Sequence, residues 1–197
     1  HSRTRAYRAA AAAGYSNTLV CVCDPAVARH TGHEQSGNVP TGNPSERLLD
    51  PALVRCTTDP QSLFDDDRVE LVSICTPTDT HVTLACAALA SGKHVLLEKP
   101  VALEPGDITR ISDAARASGR LCMPAMCMRF WPGWTWLREA IHDGRYGRLS
   151  SLVLTRIGAM PGWSRSFYGD VSRSGGAIVN RSEDILFDAT QAGFDAV

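Results

Sequence analysis

Long apolar runs are missing from this 197-residue sequence. The longest, Val82–Ala90, is interrupted by Thr83 and reaches about half the length a membrane span needs, which excludes a transmembrane helix. An excess of charge of either sign is missing too. With 20 basic and 21 acidic side chains the formal net charge is −1, so there is no electrostatic reason for a nucleic acid or an anionic membrane as partner. The basic opening His1–Arg8 is followed by no long apolar core, and no signal peptide is expected. Disulfide-framework and zinc-site spacings are absent among Cys21, Cys23, Cys56, Cys75, Cys86, Cys122 and Cys127. Most of these cysteines sit inside apolar runs and read as small core hydrophobes in a reducing cytoplasm, with no metal expected. No internal repeat or low-complexity tract occurs beyond the alanines at 9–13.

What is present is the material of a folded domain. Hydrophobic residues make up 44% and charged ones 21%, which argues against disorder. A chain of this length buries roughly 70% of its unfolded surface, enough for a sizeable core.

The pattern along the chain alternates. Residues 2–13 read as a helix stopped by Gly14. Thr18–Cys23 is a short apolar strand, expected to be buried on both faces and ending at Asp24-Pro25. A short helix over 25–33 and a Gly/Pro/Asn/Ser-rich loop over 34–50 follow. Leu53–Thr57 is a brief strand and Asp59–Phe64 a helical turn. Val69–Cys75 is a strand. Val82, Ala85, Cys86 and Leu89 then recur at helical spacing up to Gly92. His94–Leu97 is a strand, Ile108, Ile111, Ala114 and Ala115 form a second helical face up to Gly119, and Leu121–Ala125 is a strand. Strand–helix–strand–helix–strand at this spacing requires right-handed crossovers and a parallel sheet covered on both faces. The fold class is a doubly wound α/β of Rossmann type. Past Ala125 the texture changes: Arg129–Trp136 is aromatic-rich, Leu137–Ile141 is helical, and Leu149–Ile157 is a longer strand of mixed polarity, as in an open antiparallel sheet with one wet face. A boundary near 123 divides residues 1–122 from the start of a second α/β domain, 123–197.

In an open parallel sheet, ligands bind beyond the carboxyl ends of the strands. The residues there are Asp24, then Thr76-Pro77 with His81 just beyond, then Glu98-Lys99-Pro100. An acid ending the second strand of a nucleotide-binding unit takes both ribose hydroxyls of adenosine and favours NAD; Asp24-Pro25 also fits a plain turn starter. Lys99, between a buried strand and a proline, fits a partly desolvated amine for acid–base work, or a surface lysine pairing with Glu98. Trp131, Trp134, Trp136 and Trp163 fit either core packing or a stacking face for a sugar ring.

Val69–Pro100, with Thr-Pro-Thr-Asp-Thr-His81, Ala-Ser-Gly-Lys-His-Val and Glu98-Lys99-Pro100, closely resembles the Gfo/Idh/MocA oxidoreductases, the glucose–fructose oxidoreductase and inositol dehydrogenase family. The resemblance extends through Met128–Pro132, Gly144–Gly147 and Ser174–Ala177. It implies an N-terminal Rossmann domain for NAD or NADP and hydride transfer on sugars, cyclitols or their derivatives. It also implies that Asp24 faces the adenosine ribose, that Thr76, Pro77 and His81 line the cofactor groove, and that Glu98 and Lys99 lie near the nicotinamide. Lys99 would touch the substrate oxygen, and Arg129 would stand near the cofactor. Asp24 points to NAD, with Arg29 able to reach a 2′-phosphate. A homo-oligomer is implied for the full-length form.

The sequence departs from the family pattern twice. No G-x-G-x-x-G loop occurs, and the chain opens at His1 just past the place where the family carries one. No histidine follows His142, and Asp184 falls near the position of the family's catalytic histidine. A carboxylate of reference pKa ~3.9 is a poorer proton shuttle at neutral pH. The expectation is therefore a chain truncated at both ends, lacking the first strand of its sheet. The alternative is a non-catalytic remnant or binding subunit of the same family.

Overall fold

The computed structural model describes residues 2–32, 47–151, 153, 155 and 165–176. It opens with helix α1 (Ser2–Ala12), as its alanines dictate, and the chain turns off at Gly14, whose φ is +88°. Strand β1 (Cys21–Cys23) is shorter than the apolar run around it and only half-buried, where burial on both faces is the expectation. A 3-10 turn (Val27–Thr31) closes at Gly32, whose φ of +78° and closeness to the Leu49 carbonyl admit no side chain: a Cβ there would lie 2.4 Å from that oxygen. Strand β2 (Arg55–Thr57) pairs in parallel with β1, Cys23 opposite Thr57. Helix α2 (Pro60–Phe64) starts from Asp59, whose carboxylate accepts the amides of Gln61 and Ser62.

The next five elements form the βαβαβ unit that the sequence rhythm predicts. They are β3 (Leu71–Ile74), α3 (His81–Ala90), β4 (His94–Leu97), α4 (Pro105–Ser118) and β5 (Cys122–Pro124), with a 3-10 turn (Thr78–Thr80) leading into α3. The strands are parallel in the order β3-β4-β5. Two right-handed crossovers stepping the same way place α3 and α4 together on one face, where they contact one another. That face holds the core: Val72, Ile74, Val95 and Leu97 from the strands meet Ala85, Ala88, Leu89 and Ile111 from the helices. Burial alternates along β3 and β4, so the other face is covered less: Ser73, His94 and Leu96 are half-buried and Leu71 is exposed. Full cover on both faces is thus not what the described residues make. The helical face of α4 also starts later than its spacing suggests, since Ile108 in its first turn is exposed while Ile111 is buried.

Among the described residues the five strands form two parallel sheets, β1-β2 and β3-β4-β5, with no strand bridging them. Val20, Cys21 and Cys23 nevertheless lie against the common core. Burial pushes the Cys21, Cys23 and Cys122 thiols up, so they are protonated at neutral pH, as core hydrophobes should be.

After β5 come a 3-10 turn (Cys127–Phe130) and helix α5 (Pro132–His142), which starts five residues before the helix read at Leu137–Ile141. The short helices α6 (Arg165–Tyr168) and α7 (Val171–Ser174) follow. Of the strand expected over Leu149–Ile157, residues 149–151, 153 and 155 are described and lie in no strand; the other four, with Asp184 and Trp163, lie outside the described residues. No helix among the described residues is long and apolar enough to cross a membrane.

Candidate active site

The rung that pairs Ile74 with Leu97 sets the site. Two residues past it on each strand, the chain presents Thr76 and Lys99, so the loops after β3 and β4 leave the sheet side by side at roughly the 4.8 Å spacing of paired strands. The ladder continues one step beyond the strands, with the Glu98 amide donating to the Ile74 carbonyl at 2.9 Å. Next to it, the Ala125 amide donates to the Leu97 carbonyl at 2.7 Å, which brings the end of β5 level with the other two.

On the first loop, the Thr80 hydroxyl lies 2.6 Å from the Thr76 hydroxyl and 2.7 Å from the Pro77 carbonyl, closing a tight turn. Thr78 is buried, while Thr76 and Pro77 are exposed and available to a ligand. On the second loop, Glu98 and Lys99 are half-buried, and a Glu98 carboxylate oxygen accepts the Lys99 amide at 3.1 Å. The Lys99–Pro100 peptide is cis and Pro100 is fully buried.

His81, placed in the groove by resemblance, is fully buried instead. Its Nδ1 lies 2.8 Å from the Pro100 carbonyl and its Nε2 2.9 Å from the Thr76 carbonyl, so both nitrogens are engaged between the two loops and neither faces a ligand.

Asp24 ends β1, in the other sheet. One carboxylate oxygen accepts the Ala26 amide at 2.8 Å, the local turn that Asp-Pro favours, and the other lies 3.1 Å from the Arg29 guanidinium. The acid at the strand end and the turn starter are therefore the same group. Arg129 lies half-buried in the 3-10 turn after β5. Trp134 is half-buried; Trp131 and Trp136 are exposed, Trp136 lying 6.1 Å from the Tyr146 ring. Gly175 and Gly176 both take positive φ, at +71° and +75°, and form the turn that ends α7.

Two contacts had no signal in the sequence. Arg173, just ahead of the Ser-Gly-Gly turn, pairs with Asp79 on the Thr78–Thr80 turn, Nε to Oδ2 at 2.7 Å. That contact seats α7 against the first loop of the site. Lys93 is buried, and its amine donates to the Asp66 carbonyl at 2.9 Å, below the site. No cluster of three His, Cys, Asp or Glu side chains among the described residues is arranged to hold a metal ion.

Would these residues suit a nicotinamide dinucleotide? An acceptor-only carboxylate at one strand end can take the hydroxyls of a ribose diol. Exposed Thr76-Pro77 and a half-buried lysine at neighbouring strand ends place polar groups where dinucleotides bind in parallel sheets. The donor set fits.

Parallel strands joined by right-handed helical crossovers, with polar side chains gathered at their carboxyl ends, define a dinucleotide-binding α/β protein. Residues 3–126 match the model of the oxidoreductase family with an NAD-binding Rossmann fold, and the chain belongs to that Gfo/Idh/MocA family. It is 31% identical over 143 residues to the D-glucoside 3-dehydrogenase of Escherichia coli K12, covering 71% of this chain and 40% of that one. Identity is also 31% over 97 residues with the myo-inositol 2-dehydrogenase of Thermotoga maritima, 49% of this chain and 29% of the other. Among solved structures, a levoglucosan dehydrogenase in complex with NADH and levoglucosan superposes with a TM-score of 0.62 at 27% identity, covering 71% of this chain and 39% of that one. The chain spans less than half the length of each of these relatives.

Proposed function

We propose that the protein is a nicotinamide-dependent oxidoreductase acting on a hydroxyl-bearing carbon of a sugar, cyclitol or related small molecule. In this reading residues 1–122 hold the cofactor and the part beginning at 123 faces the substrate. The observation that carries it is the Ile74–Leu97 rung, from which Thr76-Pro77 and Glu98-Lys99 issue side by side. Relatives named for activity on an inositol, a glucoside and levoglucosan support the substrate class.

A nicotinamide cofactor, when bound, would supply the hydride-transfer chemistry. Asp24 accepts the adenosine ribose hydroxyls, which favours NAD, while Arg29 stands close enough to turn toward the 2′-phosphate of NADP. Thr76 and Pro77 form the exposed wall of the groove, with Glu98 beside Lys99. The Lys99 amine holds the substrate oxygen and takes or returns its proton, Arg129 flanks the cofactor, and Asp184 serves as the second acid–base group. The working form is a cytoplasmic homo-oligomer.

The test uses the intact natural protein, titrated with NADH and NADPH while nicotinamide fluorescence is followed, then assayed on inositols and glucosides. Saturable enhancement with turnover is expected, and K99M should lower kcat by about 10²–10⁴-fold while cofactor binding persists. No enhancement up to millimolar cofactor would leave the chain a non-catalytic binding subunit.

A further inference from the structure

We propose that His81 is a positioning residue whose ring, set between the loop after β3 and the loop after β4, ties the two together and so sets where Lys99 is held. That Lys99 is the working group rests on the function proposed above; the tie itself does not.

The geometry states the case. His81 is the first residue of α3 and fully buried, with its two nitrogens 2.8 and 2.9 Å from the carbonyl oxygens of Pro100 and Thr76. Neither carbonyl carries a proton, so each contact is a hydrogen bond only if the ring donates. An imidazole N–H donates to one of these carbonyls while the other ring nitrogen packs against the second, so the ring spans both loops whichever tautomer it takes.

The charged side chains on the segments adjoining the ring are Asp79 on the first loop, Glu98 and Lys99 on the second, and the Asp107–Arg110 and Asp113–Arg116 pairs on α4. Asp79 and the α4 acids are matched by arginines. Pro100 directly follows Lys99, and Thr76 begins the exposed wall, so one ring bolts together the two backbone points that carry the polar groups. A residue in this place acts through the loops and touches neither reactant.

The experiment reads the ring in the intact protein. With 15N-histidine labelling, a ring N–H of His81, identified by its loss in H81Q, is expected to be protected from exchange with solvent. Rapid exchange of that proton would overturn the tie. A second readout follows the Lys99 side-chain resonances, identified by their loss in K99R. They should shift in H81Q while those of Lys93 stay, and an unmoved Lys99 would overturn the positioning role. Where turnover is present, H81Q should lose about 10²-fold in kcat with the NADH Kd changed by less than about threefold. Equal losses in both would assign His81 to binding and overturn the proposal. An intact protein without turnover would sink the function proposed above, while the two resonance readouts would still decide on His81.

Discussion

Asp79 Oδ2 sits 2.7 Å from Nε of Arg173, 94 residues further along the chain. The pair joins the turn beside Thr76-Pro77 to the helix that leads into Gly175-Gly176. Its guanidinium also lies 5.7 Å from the Phe167 ring, so α6, α7 and the first loop meet at one cation. The carboxylate pushes the Arg173 guanidinium up, keeping it charged at every pH of interest.

Because both partners are partly exposed, this tie is weak and screened by salt. Arg173→Gln should therefore raise proteolytic cleavage between 165 and 176 by no more than about fivefold at low salt, and by less at high salt. Equal cleavage of variant and parent at low salt would show that α7 is held by other contacts.

Asp24 and Arg29 predict cofactor choice. Asp24→Ser should weaken NADH binding by about tenfold or more, since a hydrogen bond to a charged acceptor is lost. NADPH binding should change less, because Arg29 is released from its carboxylate partner. Fluorescence titrations with the two cofactors check this; parallel losses would place Asp24 outside the adenosine end.

Core energetics separate two leucines. Leu89 is fully buried between α3 and the sheet, and Leu89→Ala should cost about 2–5 kcal/mol by removing apolar contacts and leaving a cavity. Leu53 is 83% exposed, and Leu53→Ala should stay within about 0.5 kcal/mol. Urea unfolding of both variants measures the contrast, which would vanish if the βαβαβ unit were loosely packed.

Acid stability should depend on Asp66. Hydrogen bonds from Arg68, with Arg55 3.1 Å away, hold its carboxyl well below the usual carboxylate range. Asp143, bonded by Arg145, and Asp170, bonded by Ser172, are held down in the same way. A carboxyl depressed by folding stabilises the native state fully above its unfolded pKa near ~3.9 and loses that contribution as pH falls through the folded value. Between pH 5 and pH 2 (about the window set by that reference value), the urea midpoint should fall more steeply for the parent protein than for Asp66→Asn. Identical slopes would show that these arginines contribute nothing through this carboxyl.

The parallel strands, the helices α3 and α4, and the carboxyl-end residues Asp24, Thr76, Glu98 and Lys99 were legible from residue order alone. Each depends on a local pattern: an apolar run of strand length, an i, i+3, i+4 stripe, a glycine stop, and the rule that a parallel sheet binds at its strand ends. The glycine after α4 announced its turn in the same way, by its freedom to take positive φ.

What residue order could not decide were the contacts between distant segments. His81 read as a groove residue because it follows Thr76-Pro77, yet packing draws its ring inside, between two carbonyls 24 residues apart. Lys93 read as part of a Gly-Lys-His-Val segment, and the fold buries its amine on the Asp66 carbonyl. The Asp79–Arg173 pair and the division of five strands into two sheets belong to the same class. Their energies come from side chains that approach only after the chain has closed, and no periodicity within a window of a dozen residues records which partner will be there.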